Sequence, residues 1–244
     1  DEPLLYNISG VCYKASGQLD AAVESFEKAL AIKPDYIEAC YNLGIVFMGL
    51  GQLDDAVKSY EKALTLKPNY AEAHYNLGIA FKKLGQMDTA VECYEKAIAI
   101  QPNYAEAHNN LGNTFLDLGQ LDAAIEYYKK ALTVNPDYAE AHNNLGNAFK
   151  KLGQLDDAVK SYEKTLALKP DNAETHNNLG IVYMQLNQTD VAVKCYEKAL
   201  AIKPNYADAH ANHGNAMKRL KRLDEALASY ELAIALDPEL VFIL

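Results

Sequence analysis

No apolar run in the chain approaches the roughly 20 residues that a bilayer span needs. No basic stretch leads into an apolar one, so no secretory leader is visible. The chain opens on Asp1 without a methionine, which leaves a removed leader or an upstream domain open. Cysteine is sparse: Cys12, Cys40, Cys93 and Cys195, with no CxxC pair. That spacing fits no metal or disulfide framework and reads as buried, reduced thiols in a cytoplasmic protein. Basic residues are outnumbered 23 to 33, a formal net charge of −10. An acidic chain repels phosphate backbones, which argues against nucleic acid as a partner. No phosphate-binding glycine loop, GxSxG or paired-acid constellation stands out. No cofactor, no metal and no enzymatic activity are therefore expected.

Half of the 244 residues are apolar, enough for a sizeable core in one or two domains. Their order is periodic. Proline stands at 34, 68, 102, 136, 170, 204 and 238, glycine at 10, 44, 78, 112, 146, 180 and 214, and alanine at 22, 56, 90, 124, 158, 192 and 226. Each series has a step of 34 residues. Seven units follow, at 3–36, 37–70, 71–104, 105–138, 139–172, 173–206 and 207–240; residues 241–244 start an eighth and stop.

Residues 105–138 show the plan of one unit. Apolar side chains at Leu111, Phe115 and Leu118 follow the period of a helix, with His108 on the same stripe. Gly119 suits the left-handed residue that ends a helix. Asp122, which has an equivalent in every unit, reads as the cap of a second helix. That helix runs through Ala124, Ile125, Tyr128, Ala131 and Leu132 and stops before Pro136. Gly112, Ala124 and Ala131 remove bulk where the two helices approach, and Phe115 and Tyr128 fill the gaps. One hairpin cannot bury both of its apolar faces, so each unit needs a neighbour.

A 34-residue helical hairpin with this Leu–Gly, Ala and Pro pattern resembles the tetratricopeptide repeat. Histidine (His74, His108, His142, His176, His210) stands where that family usually has tryptophan. The resemblance implies an all-α, right-handed α-solenoid or superhelix of seven helix–turn–helix repeats in a single domain, 1–244. The YAEAHNNLGNAFKKLGQLDDAV run is also similar to repeats of bacterial proteins that resemble O-linked N-acetylglucosamine transferases. Some positions depart from the pattern: Ser9 and His213 replace leucine, Asn187 and Lys221 replace the mid-unit glycine, and Thr165 replaces alanine.

With the first helix of each unit numbered from 1, positions 4, 7, 8, 11 and 14 form the core arc and positions 2, 5, 6, 9, 12 and 13 the opposite one. Position 6 is an asparagine in six units: Asn42, Asn76, Asn110, Asn144, Asn178 and Asn212. Position 5 adds Asn109, Asn143 and Asn177, and position 9 adds Asn113, Asn147 and Asn215. The family resemblance implies that this face lines a concave groove. Helix packing puts successive units about 10 Å apart, so each amide would meet about every third residue of an extended peptide. An amide can pair with both the C=O and the N–H of a peptide bond. Two readings stand: a ladder that grips a peptide main chain, or amides that satisfy neighbouring helices. The resemblance to the transferases, which carry an asparagine ladder, adds to the first.

Position 2 is acidic in units two to seven, and Lys82–Lys83, Lys150–Lys151 and Lys218–Arg219 stand at positions 12 and 13. These charges read either as groove rims, with Lys82 and Lys150 touching ligand, or as complements of the helix dipole. The lysine and arginine positions by which chaperone-binding family members hold a carboxylate are not matched. The histidines, one unit apart, are too distant to share a metal and read as packed rings. The recurring tyrosines beside the proline turns read as packing between units.

The expected function is a non-enzymatic scaffold that binds an extended peptide or partner protein. Two alternatives are the substrate-recruiting arm of a larger transferase (glycosyl-, sulfo- or methyltransferase) and a homo-oligomer that assembles through the terminal repeats. The LVFIL end is not a polar cap, which motivates both.

Overall fold

The structure is a computed structural model that describes residues 2–242. It divides into two compact units, Asp1–Gln120 and Leu121–Leu244. The first holds α1 (Glu2–Ala15), α2 (Leu19–Ile32), α3 (Ile37–Leu50), α4 (Leu53–Leu66), α5 (Ala71–Lys83), α6 (Met87–Ile100) and α7 (Ala105–Asp117). The second holds α8 (Leu121–Val134), α9 (Ala139–Leu152), α10 (Leu155–Leu168), α11 (Ala173–Gln185), α12 (Thr189–Ile202), α13 (Ala207–Arg219) and α14 (Leu223–Leu236). No strand occurs among the described residues. Within each unit, sequential helices pair and the hairpins stack in chain order. This is the all-α solenoid architecture that the period implies. A 3-10 turn, Pro238–Phe242, follows α14. The expected start of an eighth unit runs into Ile243 and Leu244, which lie outside the described residues.

The turns follow from the chemistry of their residues. At the end of α3, Gly51 takes φ 74°. The Gln52 amide then reaches back to the Phe47 carbonyl at 2.9 Å, the six-to-one bond of a Schellman turn. Asn187 and Lys221 hold the equivalent left-handed conformation at φ 62° and 63° without being glycine. The second helices stop two residues before each proline. The residue ahead of a proline avoids the helical region, and proline cannot donate the next bond.

One expectation is corrected. The aspartates at 20, 54, 88, 156, 190 and 224 are not helix caps. Gln18, Gln52, Gln86, Gln154, Gln188 and Arg222 occupy the cap positions, and none makes a side-chain capping bond. Each aspartate is the second residue of the helix, where its charge meets the positive end of the dipole.

The core of each unit is built from small residues against large rings. Ala22, Phe26 and Ala29 of α2 pack with Ala39, Leu43 and Val46 of α3. Ala192, Val193 and Tyr196 of α12 pack with Ala216 and Met217 of α13. Each second helix carries a large ring at the same position, and Phe26, Tyr60, Tyr94, Tyr128, Tyr162 and Tyr196 are almost wholly buried. Such a ring removes about 150–250 Å² from water, a gross gain of about 4–6 kcal/mol at 25 cal/mol per Å². The ring is therefore the main anchor of its hairpin. Glycine on the facing helix makes room: a β carbon at Gly146 would lie 2.6 Å from the ring of Tyr162.

Candidate functional site: the amide face of the first helices

The position-6 asparagines are half-buried. Five of them bond to an adjacent repeat, through one end of the amide. Asn76 Nδ2 donates to the Tyr41 hydroxyl and Asn110 Nδ2 to the Tyr75 hydroxyl, both at 2.9 Å. Asn212 Nδ2 donates to Asn177 Oδ1 at 3.0 Å. Asn42 Oδ1 accepts from Lys14 Nζ at 3.3 Å, and Asn178 Oδ1 accepts from Lys150 Nζ at 2.9 Å. Among the described residues, the opposite end of each of these five amides makes no hydrogen bond. Repeat-to-repeat bonding thus spends one N–H or one lone pair of each amide, which reduces what it can offer a peptide bond. Asn113 and Asn144 are also half-buried.

Position 5 plays a role that the sequence reading missed. It faces the following repeat and supplies the acceptor for the next position-6 amide, 35 residues on. Tyrosine and asparagine both carry an oxygen that accepts, and their sharing of this position from Asn7 to Asn177 was the available signal. Asn109 is fully buried and Asn177 is 4% exposed, so neither is open to a ligand as expected. Asn143 is half-buried and accepts from Thr175 Oγ1 at 2.8 Å. At position 9, Asn147 Oδ1 accepts from the Tyr162 hydroxyl at 2.7 Å, and Asn215 Oδ1 from the Tyr230 hydroxyl at 2.9 Å.

The rim lysines are engaged as well. Lys82 Nζ sits 2.9 Å from Asp117. Lys150 is partly desolvated where it meets Asn178, and burial lowers its pKa. Arg219 reaches back to Asn187 and to the Met184 carbonyl. These cations tie consecutive repeats together.

In the second unit this face encloses a cavity of about 330 Å³. Asn143, Asn144 and Asn147 of α9 line it with Thr165, Lys169 and Asn172, and with Glu140 and Glu174 at its edge. A larger cleft of about 630 Å³ lies between α10 and α12, lined by Leu166, Pro170, His176, Leu179, Cys195 and Ile202 among others. Leu64, Pro68, His74 and Ile100 form its counterpart of about 370 Å³ in the first unit. Since it recurs and is largely apolar, this cleft is the ordinary seam between second helices.

The histidines of that seam are packed, as expected. His74, His108, His142, His176 and His210 each place Nε2 2.9–3.0 Å from the carbonyl of the proline six residues earlier. A carbonyl only accepts, so Nε2 carries the proton. Burial lowers the pKa of His74 and His176. Cys40, Cys93 and Cys195 are buried, whereas Cys12 is exposed, against expectation. Burial raises the thiols of Cys93 and Cys195 to about 11, so they pack as neutral groups. Among the described residues, no three metal-ligating groups cluster and no helix is long and apolar enough to cross a membrane.

Helical hairpins of fixed length, stacked with one polar face uncovered, make this a repeat protein. The family model described as TPR repeat matches residues 10–51, 47–85, 80–119, 112–153, 146–187 and 182–221, and the model described as Tetratricopeptide repeat matches 207–240. The chain belongs to the tetratricopeptide repeat family, whose members are generally non-catalytic scaffolds for protein or peptide partners. Comparison with curated protein sequences returns no match. Among solved structures, the chain is similar to the MamA protein, with 31% identity over 71% of this chain and 94% of that one, at a TM-score of 0.64. It shares its fold with YrrB, described as a TPR protein with an unusual peptide-binding site, at 24% identity over 77% and 96% of the two chains and a TM-score of 0.65. It also shares its fold with a tetratricopeptide repeat protein from Parabacteroides merdae ATCC 43184, at 19% identity over 97% and 93% and a TM-score of 0.74.

Proposed function

We propose that the chain is a non-enzymatic scaffold, one solenoid domain over 1–244, whose amide face takes an extended segment of a partner protein. The observation that carries this reading is the remaining hydrogen-bonding capacity of five position-6 amides. Asn76, Asn110 and Asn212 keep an oxygen that can accept a peptide N–H, and Asn42 and Asn178 keep an NH₂ that can donate to a peptide C=O. Bonds of this kind read main chain rather than side chains, so the scaffold tolerates many sequences. Anisotropy of a labelled pool of unstructured 12-residue peptides tests it. Each Asn→Ala replacement at 76, 178 or 212 should weaken binding by about five-fold, the worth of one hydrogen bond. Unchanged affinity in the triple variant, with its helical content intact, would leave the amides a purely structural role.

Self-assembly through the ends is a second reading. Leu4, Leu5 and Ile8 of α1 and Leu223, Leu227 and Leu232 of α14 are all 46–65% exposed, a concentration of apolar surface that favours a contact. Sedimentation across a concentration series checks it, and a constant monomer mass would refute it.

A further inference from the structure

The last residue of a repeat is tyrosine at 36, 70, 104, 138 and 206, but asparagine at 172. In the first unit that ring packs on a second tyrosine at position 5. Tyr70 lies on Tyr41, and Tyr104 on Tyr75, each with centroids 4.8 Å apart. In three repeats a lysine three residues earlier covers the closing ring, whereas Gln101 and Asn135 stand before Tyr104 and Tyr138. Lys33 lies 5.1 Å from the centre of Tyr36, Lys67 4.2 Å from Tyr70, and Lys203 4.7 Å from Tyr206. The fifth repeat keeps the lysine, Lys169, and has asparagine at both ring positions, Asn143 and Asn172. At that place lies the cavity of about 330 Å³, lined by Asn143, Lys169 and Asn172. One repeat thus carries the cation of a cation–π pair and a void, but no ring.

The walls are set to recognise an oxygen. Asn143 Oδ1 accepts from Thr175 Oγ1 at 2.8 Å, Asn147 Oδ1 from the Tyr162 hydroxyl at 2.7 Å, and Asn172 Oδ1 from the Thr175 amide at 2.9 Å. Each of these bonds engages an oxygen, which leaves the three NH₂ groups able to donate to a ligand oxygen. Thr165 contributes a hydroxyl where the other repeats have alanine, and donates it to the Ala139 and Ser161 carbonyls.

We infer that the cavity receives a tyrosine side chain of the bound segment, so that the ligand supplies the ring this repeat omits. The ring lies beneath Lys169 as Tyr70 lies beneath Lys67, held by the attraction of a cation for a π face. The phenol oxygen accepts from the asparagine NH₂ groups. Phenylalanine fills the same space but leaves those donors without an acceptor, which a partly buried site penalises. This inference rests on the peptide-binding reading above and gives that face a preferred side chain.

The probe is N-acetyltyrosinamide, titrated into the isotope-labelled chain while the side-chain NH₂ signals of Asn143, Asn147 and Asn172 are followed by NMR. Saturable shifts confined to these signals are expected, with N-acetylphenylalaninamide about tenfold weaker and N-acetylleucinamide without effect. Asn172→Tyr restores the repeat's own ring and should abolish the response; Lys169→Ala should weaken it about three-fold. No saturable shift up to the solubility limit, an equal response to the leucine compound, or an Asn172→Tyr variant that folds and still binds would each overturn the inference. Should Asn172→Tyr not fold, an unchanged response in Lys169→Ala decides against it. The probe is a single residue, so its failure leaves main-chain binding at Asn76, Asn178 and Asn212 untouched. If the peptide pool fails to bind while the probe succeeds, the ladder falls and the cavity stands.

Discussion

Tyr162 lies under Gly146 at a distance no β carbon would tolerate, and from there it donates its hydroxyl to Asn147 at 2.7 Å. One ring thus anchors the hairpin of α9 and α10 and orients an amide on the polar face. Core and candidate site are coupled through a single side chain.

Gly146→Ala should destabilise the chain by about 1–3 kcal/mol, the usual cost of overpacking. The neighbour to be displaced is a fully buried ring, so the backbones must separate. A urea denaturation midpoint that matches wild type would mean that the helices yield more readily than their packing implies.

Lys221→Gly should stabilise by about 1 kcal/mol. The residue sits at φ 63°, where a β carbon crowds the following carbonyl by about 1–2 kcal/mol, and glycine's entropy returns part of that gain. Conversely, Gly51→Ala, at φ 74°, should lower the melting temperature.

The amide of Asn76 and the hydroxyl of Tyr41 should prove coupled. A double-mutant cycle with Asn76→Ala and Tyr41→Phe should give a coupling of about 1 kcal/mol in stability. Strict additivity would show that the bond between their repeats contributes nothing.

Acid should weaken the fold before the carboxylates titrate. Burial holds His74, His176 and His213 below their ordinary value of 6.5, against the opposing pull of the Pro68 and Pro170 carbonyls on the first two. In the unfolded chain these imidazoles protonate near 6.5, and in the folded chain only lower. The unfolded state therefore binds more protons between those values. Stability is full above about 6.5 and falls as the pH drops from there. Melting temperatures from pH 7.5 to 5 should decline in wild type, and less in a variant with glutamine at all three positions.

The hairpin pattern was legible in the residues because backbone constraints are local. Proline, glycine and the spacing of alanine against tyrosine each act within one repeat, and a period repeated seven times leaves one architecture consistent with all copies. The left-handed Gly119 after α7, at φ 75°, and the packing of the histidines came from that reasoning. The aspartate caps did not: a cap depends on the dihedrals of the residue before the helix, and glutamine takes that place.

The polar face shows where one-dimensional reasoning stops. A helical wheel places positions 5, 6 and 9 on the arc that the hairpin does not use, and it knows nothing of the next hairpin. Stacking buries Asn109 and Asn177, turns Tyr41 and Tyr75 into acceptors, and leaves five amides with one engaged end. The chain's residues fixed the local fold and the choice of amides. How much hydrogen-bonding capacity each amide keeps was settled by contacts 28 to 35 residues apart, since a side chain's partners depend on packing between repeats and not on its place along a helix.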